Sequence, residues 1–331
     1  MKHSANCKCA ARLGLFTGIL LFGLGMFFPQ AEAIECGDFL ARGHHKLTED
    51  VTCDGSGNPA LTLEGGANLD LNGYTVNCNE TGREGIVLVD RNNKARNGFI
   101  IGCRTGVMIK GDGHHKVLKL IVENNDREGI LVESAYNQLI NTEARDNNRD
   151  GIRVKSAYNQ LINTEACNNK RRGFRIEGDD NNIVNCLAED NGRQGFIIDG
   201  GNDNKISNSA AFDNCRDGIE IDNEGNDNSL INNYVADNGN PDTCEAFDED
   251  YNPWFYAGID ITDGAGENTV INNRTSGNLG CYGEGCDPDP PEERNLWDEN
   301  VDKDGKCDST NRWNNNRVNG ERAEPECGQI L

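Results

Sequence analysis

A short phrase, glycine followed by an apolar residue, any residue and a second apolar residue, returns along this chain every 21 to 23 residues. It begins at Gly85, Gly106, Gly129, Gly151, Gly173, Gly195 and Gly218, and again after a longer interval at Gly258, as in Gly151-Ile152-Arg153-Val154. Two consecutive periods share the stretch Ser-Ala-Tyr-Asn-Gln-Leu-Ile-Asn-Thr-Glu-Ala, at 134–144 and 156–166. A fixed period of this length marks a stacked repeat, in which each unit buries its apolar side only against its neighbours.

Within a period the apolar residues alternate, as in Ile130 and Val132, Phe174 and Ile176, or Ile219 and Ile221. Two-residue alternation is a strand with one buried face. A second short strand follows at Leu139-Ile140, Leu161-Ile162, Ile183-Val184, Leu230-Ile231 and Val270-Ile271, and Ala144, Ala166, Ala188 and Ala211 mark a third. Helical periodicity is missing and there is no room for helices, so one period is one coil of a parallel β-helix. Four residues before the glycines stand Asn125, Asn147, Asn169, Asn191 and Asn214, and ten before stand Asn141, Asn163, Asn185 and Asn208. Stacked at the strand spacing of roughly 4.8 Å, each set becomes a ladder of amides bonded along the axis. Asparagine also suits the left-handed backbone of tight bends.

On the glycine beat and the Asn-x-x-Ile-x-Asn phrasing around Asn204-Lys205-Ile206-Ser207-Asn208, the sequence resembles the right-handed parallel β-helix superfamily of pectate lyases, alginate epimerases and NosD-like repeat proteins. The segment Leu47 to Cys78 looks like a first coil of that group. The resemblance covers about 60 to 278 and implies an all-β, single-stranded right-handed solenoid, a scaffold that carries many chemistries. Residues 34–280 are read as the solenoid, with 34–60 as an N-terminal cap, 239–257 as a loop insertion and 281–331 as a Cys-containing C-terminal cap. Trp297 and Trp313 are expected to plug the open core at that end.

Residues 1–33 carry Lys2, Lys8 and Arg12, an apolar run from Leu13 to Phe28, and Ala31-Glu32-Ala33. This is the three-part form of a secretory signal, with cleavage expected after Ala33, so the mature protein is expected to be exported, extracellular or periplasmic. Removing Cys7 and Cys9 with the leader leaves an even number of cysteines, crowded toward the two ends, where disulfides are expected. Cys167, Cys186 and Cys215 sit at different phases of the repeat, so stacking alone does not pair them. A net charge of -23 argues against general nucleic-acid affinity.

Two columns of side chains point outward from the glycine strand. One reads Val87, Met108, Leu131, Arg153, Arg175, Ile197, Glu220, Asp260; the other reads Val89, Lys110, Glu133, Lys155, Glu177, Asp199, Asp222, Thr262. An arginine also stands two residues before every glycine from 85 to 218: Arg83, Arg104, Arg127, Arg149, Arg171, Arg193 and Arg216. Glu84, Glu128, Asp150 and Asp217 follow four of them, so part of this column is a surface ion lattice; Arg172 and Gln194 replace the acid in the middle. Arg149, Lys170, Arg171, Arg172 and Arg193 therefore form the candidate contact for a polymer with regular carboxylates or sulfates, since guanidinium forks bind those groups in pairs. Trp254 and Tyr256 of the insertion are further candidates, with packing of that loop on the body as the alternative.

Asp199, Glu220, Asp222 and Asp260 form a carboxylate cluster that could share protons, hold Ca²⁺ through hard oxygen ligands, or simply be solvated. The family resemblance implies a polysaccharide lyase scheme with Arg153, Lys155 or Arg175 as the base and those four carboxylates as Ca²⁺ holders. The Asp-Pro-His-Asp motif of alginate epimerases and the Gly-His-Gly of polygalacturonases are absent. Gly43-His44-His45 and Gly113-His114-His115 read as exposed turns, and the lack of Met and His clusters on the outer columns disfavours metal delivery. The expectation is recognition, and possible cleavage or epimerisation, of an acidic polysaccharide; the alternative is a catalytically silent surface, matrix or adhesion protein.

Overall fold

The computed structural model describes residues 33–55, 59–239, 257–262, 264–280, 292–293, 295–298, 310–323 and 326–327. The leader, Trp254, Tyr256 and Cys244 of the insertion, and Cys281, Cys286 and Cys307 lie outside the described residues. Every regular element among those described is a β-strand. The chain winds into a parallel solenoid of about nine turns. One 12-stranded sheet runs its whole length, from Asp38–Leu40 through Ile152–Val154 and Phe174–Ile176 to Glu326–Cys327. The remaining strands, such as Gln138–Ile140 and Glu143–Arg145, stack lap on lap to form the other sides; in two early laps the single strands Lys94–Ile101 and Lys116–Glu123 span both.

Register is uniform along the long sheet. Leu131 pairs with Arg153, Arg153 with Arg175, Arg175 with Ile197, and Ile197 with Glu220. The flanking positions point inward and are fully buried, as in Ile152, Val154, Phe174, Ile176, Phe196 and Ile198. Phe174 and Phe196 stack inside with ring centroids 4.6 Å apart.

The glycine beat has a steric cause. A Cβ on Gly173 would lie 2.7 Å from the Gly195 carbonyl oxygen, 2.9 Å from the Asn191 amide nitrogen and 3.0 Å from the Ala188 methyl. Gly151 is confined in the same way by Gly173, Asn169 and Ala166. The glycine, the asparagine and the alanine thus form one interlocked corner, repeated each lap.

At that corner the backbone N–H of Asn147 donates to Asn169 Oδ1 at 3.1 Å and its side-chain amide donates to the same oxygen at 2.9 Å. Asn169 does the same to Asn191, and Asn191 to Asn214. The ladder continues through Asn238 and Asn278 to Asn295. A second buried ladder, absent from the sequence expectation, runs along another corner from Asn137 through Asn159, Asn181, Asn204, Asn228 and Asn268. The expected set Asn141, Asn163, Asn185 and Asn208 is exposed and takes the left-handed backbone of a bend, with φ between 50 and 54°.

The ends differ in part from expectation. Disulfides Cys36–Cys53 and Cys78–Cys103 fasten the N-terminal laps. Residues 38–52, expected as a cap, are already in lap register: Asp38 pairs with Leu61, and His44 with Asn68. Gly43-His44-His45 is accordingly a strand, not a turn. Trp313 pairs with Val270 on the inward column, packs against the core and donates from Nε1 to Asp298 at 2.9 Å, so it fills the end of the stack. Trp297 does not: it pairs with Asp260 on the outward column, and is buried there on the outside of the sheet. Cys186 is a buried thiol, which burial pushes up to about 12; Cys167 and Cys215 are also buried.

His115 takes an asparagine position in the second ladder. Its Nδ1 accepts from the Asn93 N–H at 3.1 Å and its own N–H donates to Asn137 Oδ1 at 2.8 Å. Burial holds its pKa below the ordinary 6.5, with His114 adding to the fall.

Two outcomes are expected. Asn169→Ala leaves the backbone N–H of Asn147 without an acceptor and removes one of the two bonds of its side-chain amide, and should lower stability by about 2–4 kcal/mol in chemical denaturation. Because the folded pKa of His115 lies below its unfolded value, its contribution is complete above about pH 6.5 and is lost on acidification. Thermal melts of His115→Asn should therefore fall less than wild type between about pH 6.5 and 5.

Candidate functional site

The outer face of the long sheet holds the charges that the sequence places in columns, and the register makes them neighbours. Side chains on adjacent laps do not simply repel; they cross-link diagonally. Arg153 donates to Glu177 Oε1 through Nε and Nη2 at 3.0 and 2.7 Å, and Arg175 reaches the same oxygen at 2.7 Å. Arg175 also holds Asp199 at 2.5 Å, and Asn223 donates to the other oxygen of Asp199. Arg153, Glu177, Arg175 and Asp199 form one continuous chain of alternating charge across three laps.

Protonation follows from this chain. Burial works against the Arg175 cation, but the hydrogen bond and charge of Asp199, with Glu177 and Asp150, raise its pKa above the ordinary value. Burial likewise opposes the Asp199 anion, yet Asn223 and Arg175 hold it below the usual carboxylate range. An arginine so fixed is a charge holder rather than a proton acceptor. Lys155 is different: it pairs with Glu133 at 3.0 Å, and both side chains are 36% exposed, so water competes for the pair. Of the three residues considered as a base, Lys155 is the one with the chemistry and the access for it.

Behind the chain, burial dominates. Arg172 lies 3.8 Å from Asp150, with side chains only 14% and 3% exposed. Burial lowers the pKa of Arg172 and raises that of Asp150, outweighing an ion pair at that separation. Glu220 is more extreme. Burial, then the nearby Asp217 and Asp222, push its carboxyl well above the ordinary 4.5, while Gln194 donates to it. Gln194 was visible in sequence only as a break in the acidic column; its partner one lap on was not.

Three of the four carboxylates considered for Ca²⁺ are held by other side chains: Asp199 by Arg175, Glu220 by Gln194 and Asp222 by Thr262. Calcium takes six to eight oxygens, several of them from ionised carboxylates. Asp199 is bound by a guanidinium, Glu220 favours its proton, and Asp260 is 4% exposed. Among the described residues no group of three or more His, Cys, Asp or Glu is arranged to hold a metal.

Along the edge of the sheet runs the arginine column. The backbone N–H of Arg127 donates to Arg104, Arg149 to Arg127, Arg171 to Arg149, and Arg193 to Arg171, with lengths from 2.7 to 3.2 Å. Arg104 pairs with Glu84, and Arg149 lies 3.8 Å from Glu128, which Arg153 also approaches at 3.8 Å. Arg127, Lys170 and Arg171 are exposed, and no carboxylate among the described residues lies within 4.0 Å of them. The structure thus brings Arg149, Arg171 and Arg193 into one row, with Lys170 beside them and Arg172 turned inward against Asp150.

Residues 128–286 match the family described as Right handed beta helix region. No curated protein sequence matches the chain. Among solved structures, the A-modules of the mannuronan C-5 epimerases AlgE6 and AlgE4 of Azotobacter vinelandii superpose with a TM-score of 0.56 each. Their identities are 12% and 13%, over 88% of this chain and 86% and 88% of theirs. The Dettilon tailspike protein superposes with a TM-score of 0.58 at 13% identity, over 86% of this chain and 60% of its own. Such likeness concerns the fold, and with the lap geometry and the family match it gives the chain the right-handed parallel β-helix fold.

Proposed function

We propose that this protein recognises an acidic polysaccharide, with uronate or sulfate groups, laid along the outer face of the long sheet. The observation that carries the reading is the edge row of cations. In a chain of net charge -23, Arg127 and, two laps on, Lys170 and Arg171 stand exposed with no carboxylate to neutralise them among the described residues. A polyanion lying parallel to the axis would meet one guanidinium per lap, each able to grip a carboxylate or sulfate by two hydrogen bonds. The scaffold shared with the mannuronan C-5 epimerase modules suits an extended glycan. The disulfides Cys36–Cys53 and Cys78–Cys103 support an oxidising, extracellular or periplasmic setting. Trp254 and Tyr256 remain candidate contacts from the insertion.

Chemistry on that polymer would centre on Lys155. As a neutral amine it would take the proton beside a uronate carboxyl while Arg153 or Arg175 faces the developing charge. The electron pair would then expel the glycosidic oxygen, which takes a proton from the Lys155 ammonium or water, or the carbon would regain a proton from water on its other face. The second reading, a catalytically silent matrix or adhesion protein, draws on the identical stretches 134–144 and 156–166, since a catalytic lap should differ from its neighbours.

One assay separates these readings. The mature protein is passed over immobilised polygalacturonate, alginate and sulfated glycans, with and without Ca²⁺, while ultraviolet absorbance reports unsaturated uronate ends. Retention on at least one acidic glycan, falling with salt and about tenfold weaker in Arg127→Ala/Arg171→Ala, is expected, because exposed charge pairs contribute up to about 1 kcal/mol each. Absorbance growth that Lys155→Met abolishes would establish the lyase step; absence of retention on every glycan would overturn recognition itself.

Glu220 offers a separate check on the site's electrostatics. Its folded pKa lies above the unfolded 4.5, so its contribution to stability is present at low pH and is lost as pH rises through the folded pKa. Glu220→Gln should therefore melt at least about 2 °C above wild type at pH 7, the shift that about 1 kcal/mol produces in a domain of this size, and the difference should vanish near pH 4.

A further inference from the structure

At the corner that follows each strand of the long sheet, one residue takes a left-handed backbone. Asn92, His114, Tyr136, Tyr158, Asp180 and Asp203 occupy it in successive laps, with φ between 55 and 63°. Asparagine and aspartate enter this region readily because their short polar side chains bond locally; a ring gains nothing there. The laps on both sides show that the corner is made without aromatics. Yet three consecutive laps place His114, Tyr136 and Tyr158 at it, with Tyr136 51% and Tyr158 48% exposed. Their rings stack with centroids 5.1 and 5.0 Å apart and planes within 7° of parallel. Side chains kept at an unfavourable backbone position on the surface point to a use other than folding.

The stack is closed at one end and open at the other. The Tyr158 phenol lies near Asp180 of the next lap, which raises its pKa. Beyond His114 the neighbouring lap carries only Asn92, and the imidazole borders a cleft of about 390 Å³ lined also by Arg42, His44, Lys94 and Lys116. Lys94 and Lys116 are register partners on adjacent laps, so their Cα atoms stand at strand spacing and both residues line the cleft. No carboxylate among the described residues lies within 4.0 Å of Arg42, Lys94 or Lys116. Like charges so grouped in a strongly acidic chain call for an anion that the protein itself does not supply.

We infer that this cleft binds an anionic sugar ring, its carboxylate or sulfate held by Arg42, Lys94 and Lys116 and its apolar face laid on the free face of His114. Tyr136 and Tyr158 back the imidazole and fix its plane. The guanidinium supplies a paired donor set and the two ammonium groups supply charge, while the ring face takes the C–H side of a pyranose. The cleft lies beside the first laps, on different strands from the arginine row, and stands independently of the reading of that row.

Calorimetric titration of the mature protein with trigalacturonate and with a sulfated disaccharide, each against its uncharged methyl-esterified or desulfated counterpart, tests the inference. At least one charged sugar should bind saturably and its uncharged counterpart at least tenfold more weakly. Lys94→Met/Lys116→Met and His114→Asn should each lower affinity about tenfold. Tyr136→Asn/Tyr158→Asn installs the residue the fold uses at this corner elsewhere, so the melting temperature should hold or rise while binding weakens. A fall in melting temperature with unchanged binding would mean that the stack serves the fold, and would overturn the inference. Equal affinity for charged and uncharged sugars, or no saturable binding of either charged sugar, would overturn it as well. Arg127→Ala/Arg171→Ala should alter retention on polymers and leave these titrations unchanged, so the two sites fail separately.

Discussion

The structure depends on a buried amide that answers the backbone of the previous lap. Each asparagine of the corner ladder accepts from both the N–H and the side chain of its predecessor, as Asn169 does from Asn147 and Asn191 from Asn169. A buried donor without an acceptor is expensive, so the ladder sets lap position more sharply than aliphatic packing, which tolerates sliding. The glycine beside it is a consequence: any Cβ there would occupy the space of the next carbonyl and the next amide. Apolar side chains fill the interior, but the amides decide where each lap stops.

Once laps are fixed at strand spacing, outward side chains acquire neighbours they did not choose locally. On the long sheet this produces the alternating chain Arg153, Glu177, Arg175 and Asp199, in which each charge is held by the lap beside it. It also produces tension. Burial, with Asp217 and Asp222 nearby, pushes the Glu220 carboxyl well above its ordinary pKa, while Asn223 and Arg175 hold Asp199, a lap earlier, below its own. Carboxyls pushed in opposite directions on one face are a common property of working surfaces. The edge row with Arg127 and Arg171, left without carboxylate partners among the described residues, carries positive charge that the protein does not neutralise.

Much of the solenoid was legible in the repeat. The lap length, the three-sided coil, the inward apolar columns and the ladder through Asn147 and Asn169 follow from spacing alone, and so do the register partners Arg153 and Arg175. The ladder through Asn137 and Asn159 escaped notice because its members sit just ahead of the second strand, where asparagine reads as an ordinary turn residue. Trp297 was misplaced for a related reason: hydrophobic character suggested the core, whereas its register partner Asp260 puts it on the outer column. His115 was read as an exposed turn residue, yet it stands in for an asparagine within a ladder.

What the sequence determined was the stack, since a fixed period of alternating apolar residues with small residues at set phases admits one way of burying every lap. What only the tertiary structure decided was the state of the charges. The sequence names Arg153, Arg175 and Lys155 alike as cations, but the diagonal contacts lock the first two to carboxylates and leave Lys155 half free. Likewise, only the corner's left-handed backbone shows that Tyr136 and Tyr158 stand where aspartate would serve the fold better. Charge state and strain depend on distances between laps, and those distances exist only after the chain has wound.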